Sequence, residues 1–150
     1  AEWERQGRLK AVVTQNIDGL HQKAGSRKVL ELHGSVLRNH CTRCGQFYGV
    51  ERIVNSRGVP RCSCGGVIKP DVVLYEESLD EDVMAEAIHY IRQADMLIIG
   101  GTSLVVYPAA GLVQYYRGHK LAVINKGGAG SGLGAAVTVD APIGQVMAQL

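Results

Sequence analysis

Residues 96–116 read MLIIGGTSLVVYPAAGLVQYY, twenty-one positions without a charge, and how that stretch is taken decides the fold. About twenty apolar residues can cross a bilayer as one helix. Here the run is broken by Gly100, Gly101, Thr102, Ser103 and Pro108, and no basic flank precedes it. It reads better as a buried strand over 96–99, a polar turn, and a helix within 104–116.

Working outward, the same alternation continues on both sides. Upstream, residues 9–14 (LKAVVT) form a β-branched run that predicts a buried strand, and residues 29–32 another extended piece ending at His33-Gly34. Residues 72–75 are again strand-like. Ser78 with Glu81 fits a capping box, after which Val83, Met84, Ala87, Ile88 and Ile91 share one helical face. Downstream, residues 121–124 and 136–139 predict strands, and residues 145–150 begin a closing helix. Strands alternating with helices imply an α/β fold whose parallel sheet is covered on its faces. Ligands of such sheets bind beyond the carboxyl ends of the strands. The polar residues after Val13, Ile99 and Ile124 are therefore the ones to weigh.

Composition sets outer limits. Of 150 residues, 46% are hydrophobic and 20% charged, a globular rather than a disordered balance. A net charge of +2 gives bulk electrostatics too little to attract nucleic acid, and no basic run with interleaved aromatics is present. Without a secretory signal the expectation is a cytoplasmic protein. The chain opens on Ala1, and residues 1–8 read as the tail of a helix leading into a strand, so it is expected to be a fragment.

From 35 to 69 the texture changes to Cys, Arg and Gly, as in a small insert that a metal must hold together. Cys41-Thr-Arg-Cys44 and Cys62-Ser-Cys64 stand seventeen residues apart. Two such pairs can close a tetrahedral shell of four thiolates, which leaves no open position, so a zinc ion here is structural. A redox pair, or four unrelated buried thiols, are the alternatives.

Thr14-Gln15-Asn16-Ile17-Asp18-Gly19-Leu20-His21 places amide and carboxylate side chains at a strand end, where they could grip a carboxamide and ribose hydroxyls. By itself the stretch could equally be a helix-capping turn. Taken in order with His33-Gly34, the cysteine pairs, Lys69-Pro-Asp-Val-Val-Leu-Tyr-Glu-Glu77, Gly101-Thr-Ser-Leu104 with Val106 and Pro108, and Ile124-Asn125, the chain resembles the sirtuins. In these NAD-dependent protein-lysine deacylases the matching motifs are TQNIDxLH, HG, (R/K)PxVVxFGE and GTSLxVxPAA.

That resemblance implies a Rossmann-like NAD-binding domain over 1–34 and 70–150, incomplete for want of its first βα unit, with a zinc-binding module inserted over 35–69. It implies His33 as general base on the cofactor ribose, a task suited to neutral imidazole. His40, His89 and His119 are expected to be ordinary structural or surface histidines. Asn16 and Asp18, with the Ile17 backbone, would bind the nicotinamide carboxamide, and Gln15 would face the ribose. Asp18 could also be simply a helix cap. Val73 and Tyr75 would line the channel for an acyl-lysine peptide, which would add as a strand; the alternative is an ordinary core strand. Gly101, Thr102 and Ser103 would meet the cofactor phosphates and ribose, Asn125 the adenosine ribose, and Ile143, beside Pro142, the adenine. The implied products are free lysine, nicotinamide and O-acyl-ADP-ribose.

Three departures from the pattern matter. The Gly-Ala-Gly-x-Ser segment of the family is absent and should precede Ala1, so the isolated 150-residue chain is expected to bind NAD poorly and turn over little. Gly130-Ser-Gly-Leu-Gly-Ala135 satisfies G-x-G-x-x-A, but it leads into a strand and is read as a connector. Glu76 stands where the family commonly has Gly. A non-enzymatic zinc-ribbon binding module, or a protein ADP-ribosyltransferase on the same scaffold, are the competing readings.

Overall fold

The computed structural model describes residues 1–127 and 132–150, arranged as two compact units, Ala1–Met84 and Ala85–Leu150. Gly130 and Ser131 of the glycine-rich connector lie outside the described residues. From Gly132 the chain runs through a turn into a strand at Val137, with no helix between.

The first unit begins with a short helix α1 (Glu2–Arg5) and a parallel pair, β1 (Val12–Thr14) and β2 (Val29–Glu31), with Val13 opposite Leu30. Between them lie the loop from Gln15 and a one-turn helix α2 (Leu20–Lys23). The Glu4 carboxylate accepts the backbone N–H groups of Arg27 and Lys28, which fixes the entry to β2 and lowers the Glu4 pKa. β3 (Gly34–Cys41) then runs antiparallel between β4 (Phe47–Gly49) and β5 (Ile68–Val72), and helix α3 (Val50–Val54) follows β4. β3 breaks the usual period: its buried positions are Ser35, Asn39 and Cys41, while Leu37 is exposed. Its register with β5 shifts between Ser35 and Asn39.

The strand expected over 72–75 lies earlier, at Ile68–Val72. Pairing with β3, anchored where buried Cys41 faces buried Ile68, overrides the local preference of the apolar run. Past its end the Val73 N–H still donates to the His33 carbonyl.

Helix α4 (Glu81–Gln93) straddles the boundary between the units and buries Ala87 and Ile91, two members of the expected face. Its cap is Asp80 rather than Ser78: the Asp80 carboxylate accepts the N–H groups of Asp82 and Val83 at 2.9 and 3.0 Å. An acidic side chain one residue before the first turn reaches those orphan donors directly, which Ser78 is too far back to do. Replacing Asp80 by Ala should therefore lower the unfolding free energy in urea by about 1 kcal/mol. Ser78→Ala should stay within roughly 0.5 kcal/mol of wild type.

The second unit carries a parallel sheet of β6 (Leu97–Gly100), β7 (Leu121–Ile124) and β8 (Val137–Val139), with β7 in the middle. All four residues of β7 are buried, as a central parallel strand requires. Ile99, Leu121 and Val123 form its core, with Leu97, Leu104, Val113, Tyr116 and Ala135 packed around them. The helix expected within 104–116 is shorter and tighter, a 3₁₀ helix over Ala109–Tyr115. Pro108 disfavours helical geometry in the residue before it, so the turn starts only beyond it. The closing helix α5 spans Ile143–Met147, starting two residues before the expected position, directly after Pro142. Among the described residues no helix is long and apolar enough to cross a membrane.

Candidate functional site

In the first unit, three chain segments meet at His33. The Gln15 carbonyl lies 3.1 Å from His33 Nδ1. A carbonyl oxygen can only accept, so Nδ1 carries the proton of the neutral ring and Nε2 keeps its lone pair. The backbone thus selects the tautomer that a general base needs. The His33 carbonyl accepts the Val73 N–H at 3.1 Å, and the Ile17 carbonyl accepts the Val36 N–H at 3.0 Å. The loop from Gln15 to Asp18, His33 and the segment beginning at Val73 are therefore laced together by main-chain bonds.

Within the loop, Thr14 Oγ1 accepts the Asn16 N–H at 3.1 Å, and Asp18 Oδ1 accepts the Leu20 N–H at 3.0 Å. The cap position of α2 is Gly19, and Asp18 turns the chain into the helix through that single bond. Asn16 and Asp18 are exposed, while Gln15 and Ile17 are half-buried. Val73 is half-buried, whereas Tyr75 is fully exposed on the turn that follows. Ser35 was not picked out by its sequence context. It is 1% exposed, and its hydroxyl accepts the Leu37 N–H at 3.2 Å and faces the Ile17 carbonyl at 3.5 Å. It pins the loop to β3.

Next to this centre, His40 Nδ1 meets Asp71 at 2.7 Å, and Arg38 reaches both Asp71 and Glu31. His40 is thus a partnered structural histidine, while His89 and His119 are exposed.

The four cysteines converge. Their sulfurs all lie within 4.8 Å of one another, with Cys41–Cys64 at 3.5 Å, Cys44–Cys62 at 3.6 Å and Cys44–Cys64 at 3.5 Å. Four thiolates at ~2.3 Å from one tetrahedral ion stand about 3.8 Å apart, so the donor set fits zinc. The electrostatics fit as well. The Tyr48 hydroxyl, 3.1 Å from Cys62 Sγ, and the Cys64 N–H bring Cys62 down to about 6. The Gly66 N–H favours a Cys64 thiolate, but the three neighbouring sulfurs outweigh it and push Cys64 up to about 12. Four sulfurs this close cannot all ionise without a cation among them. Arg43 adds a backbone N–H to Cys41 Sγ at 3.4 Å, and its guanidinium donates to the Cys64 carbonyl at 3.0 Å. Tyr48 and Arg43 have no signature of their own in the sequence.

The second unit gathers its expected residues at the carboxyl ends of its strands. Gly101, Thr102 and Ser103 follow β6, and Asn125 follows β7. The Gly101 N–H donates to the Ile124 carbonyl at 3.2 Å, the Asn125 N–H to Val139 at 3.1 Å, and Thr102 Oγ1 accepts the Leu104 N–H at 3.2 Å. Ile143, the first residue of α5, packs onto Gly100 so closely that a Cβ there would overlap its side chain. It also lies 3.8 Å from the Cβ position of Gly101. The glycine turn, Asn125 and Ile143 thus share one edge of the sheet.

Known proteins resemble this chain over nearly its whole length. The Sir2 family matches residues 1–108. The chain is 57% identical over 152 residues to an NAD-dependent protein deacetylase of Clostridium perfringens, covering 100% of this chain and 62% of that protein. A solved structure of Sir2 with p53 peptide and NAD+ superposes with a TM-score of 0.90 at 39% identity, over 99% of this chain and 65% of the other. Another, Sir2 with an inhibitor, 2'-O-acetyl-ADP-ribose and deacetylated p53 peptide, gives 0.90 at 40% identity, over 99% and 66%. The chain spans about three fifths of the length of the curated relatives it matches.

Proposed function

The chain belongs to the Sir2 family, and from that premise we propose that the whole protein is an NAD-dependent protein-lysine deacylase, acting on acetyl- or other acyl-lysine peptides. The observation that carries this reading is the Gln15 carbonyl on His33 Nδ1, which leaves Nε2 as a base on a residue bonded through its ring to the Gln15–Asp18 loop and through its carbonyl to Val73. NAD, when bound, supplies an electrophilic ribose carbon with nicotinamide as its leaving group, so that the acyl group departs from lysine as O-acyl-ADP-ribose.

The roles of the chain's own residues follow. Asn16, the Ile17 backbone and the outer oxygen of Asp18 hold the nicotinamide carboxamide, and Gln15 faces the ribose. Gly101, Thr102, Ser103 and Asn125 hold phosphate and ribose, with Ile143 against the adenine. His33 Nε2 takes the proton of a ribose hydroxyl. The Val73 carbonyl accepts the amide proton of the acyl-lysine, and Val73 and Tyr75 flank its side chain. Zinc on Cys41, Cys44, Cys62 and Cys64 is structural. We assign residues 1–34 and 70–150 to the nucleotide-binding domain and residues 35–69 to the zinc module.

The test uses the full-length protein with NAD and an acetyl-lysine peptide, read by mass spectrometry. Deacetylated peptide with O-acetyl-ADP-ribose is the expected result. ADP-ribose attached to an acceptor protein would replace this reading with ADP-ribosyl transfer. Neither product would leave a zinc-ribbon binding module.

A further inference from the structure

We infer that Lys69 and Glu77 are positioning residues for the peptide-binding segment, a clamp that fixes the backbone from Val72 to Tyr75 without touching substrate. The inference rests on the reading of the site given above.

β5 ends at Val72, and beyond the Val73 N–H bond no ladder among the described residues holds the chain. A turn follows in which the Glu77 N–H donates to the Leu74 carbonyl at 3.1 Å. Glu76 occupies the left-handed region at φ +70°, a conformation that a residue with a Cβ adopts at a cost. Leu74 and Tyr75 are exposed, so burial does not hold the turn either. Two side chains do. The Glu77 carboxylate accepts the Leu74 N–H at 2.9 Å and the Lys69 ammonium at 3.1 Å. The same ammonium donates to the Val72 carbonyl at 2.9 Å. One continuous path, Val72 carbonyl to Lys69 to Glu77 to the Leu74 N–H, thus brackets Val73, whose backbone reaches His33.

The ion pair itself contributes little, because both side chains are substantially exposed and screened. The weight lies in the two bonds to the main chain. A peptide that adds as a strand needs its partner's carbonyl and N–H groups already in line, since ordering them on binding subtracts from affinity. The function of the clamp therefore depends on an acceptor at 77 and a donor at 69, and only weakly on the charge they carry.

The experiment compares full-length wild type with Glu77→Ala, Lys69→Ala and Glu77→Gln. It records KM for peptide and for NAD, kcat, and the anisotropy of a labelled acetyl-lysine peptide. Glu77→Ala and Lys69→Ala should raise the peptide KM and Kd about tenfold, the equivalent of roughly 1.4 kcal/mol, with the NAD KM unchanged. Glu77→Gln keeps a carbonyl acceptor for both donors and should stay near wild type, with little dependence on ionic strength. Folded Glu77→Ala protein with wild-type peptide affinity overturns the clamp. So does a Glu77→Gln variant as impaired as Glu77→Ala, which would mean that the carboxylate attracts substrate by charge. So does a parallel loss in peptide KM, NAD KM and melting temperature, which marks a merely structural pair. Wild-type protein that binds no acetyl-lysine peptide removes the reading of the site, and this inference with it.

Discussion

Replacing His33 by Ala in the full-length protein should lower NAD-dependent deacylation by about 10²–10⁴-fold, the usual contribution of a positioned general base. The fold should survive. His33 is half-buried, and its side chain gives up one hydrogen bond, to the Gln15 carbonyl, worth about 1 kcal/mol. The main-chain bonds of its neighbourhood, Val73 to His33 and Val36 to Ile17, do not involve the imidazole and should persist. Circular dichroism melting alongside the deacylation rate separates the two effects. Deacylation within a factor of a few of wild type in His33→Ala would remove the base from the proposed mechanism.

The second large effect concerns the thiolate cluster. Stripping the proposed zinc with a chelator, or replacing Cys62 by Ser, should disorder residues 35–69 and abolish deacylation, although no cysteine belongs to the reacting groups. Structural zinc contributes on the order of 10–16 kcal/mol of apparent binding energy, comparable with or larger than the ~5–15 kcal/mol that stabilises a whole domain. The topology explains why activity goes too. β3 runs from Gly34, beside His33, to Cys41, and its partner β5 runs from Ile68 to Val72, beside the segment on His33. The sulfurs close one end of this ladder, and the proposed chemistry sits at the other.

A milder probe is Gly66→Ala. A Cβ there would stand 2.6 Å from Cys41 Sγ and 2.8 Å from Arg43 Cβ, so the metal should be retained less firmly with all four thiols intact. Zinc released to a colorimetric chelator, counted against thiols titrated before and after, measures both variants. Cys62→Ser protein that keeps stoichiometric zinc and a native melting curve would contradict this account.

Much of the molecule was legible from residue pattern because its elements obey simple periods. β7 is four apolar residues and is buried at all four; the cysteine pairs announce a cluster of four converging sulfurs by spacing alone. Legibility fails where tertiary pairing overrules local preference. β3 hides because its buried face is built of Ser35, Asn39 and Cys41, and Asn39 Oδ1 has no hydrogen-bond partner among the described residues, so neither apolar alternation nor a polar-surface rule identifies the strand. β5 holds a lysine, a proline and an aspartate, and only its partner makes it a strand. The site residues could be named from motifs, but the bonds that orient them could not. Nothing in the order of residues says that the Gln15 carbonyl, rather than a side chain, sets the tautomer of His33, or that Ser35 anchors the loop.

The seat of Ile143 against Gly100 ties the order of synthesis to the competence of the sheet edge. The glycine turn after β6 is made about forty residues before the residue that backs it, so a nascent or clipped polypeptide ending short of Pro142 presents that turn with an open notch behind it. Ile143 is thus a keystone, and shortening its side chain should loosen a turn some forty positions away in sequence.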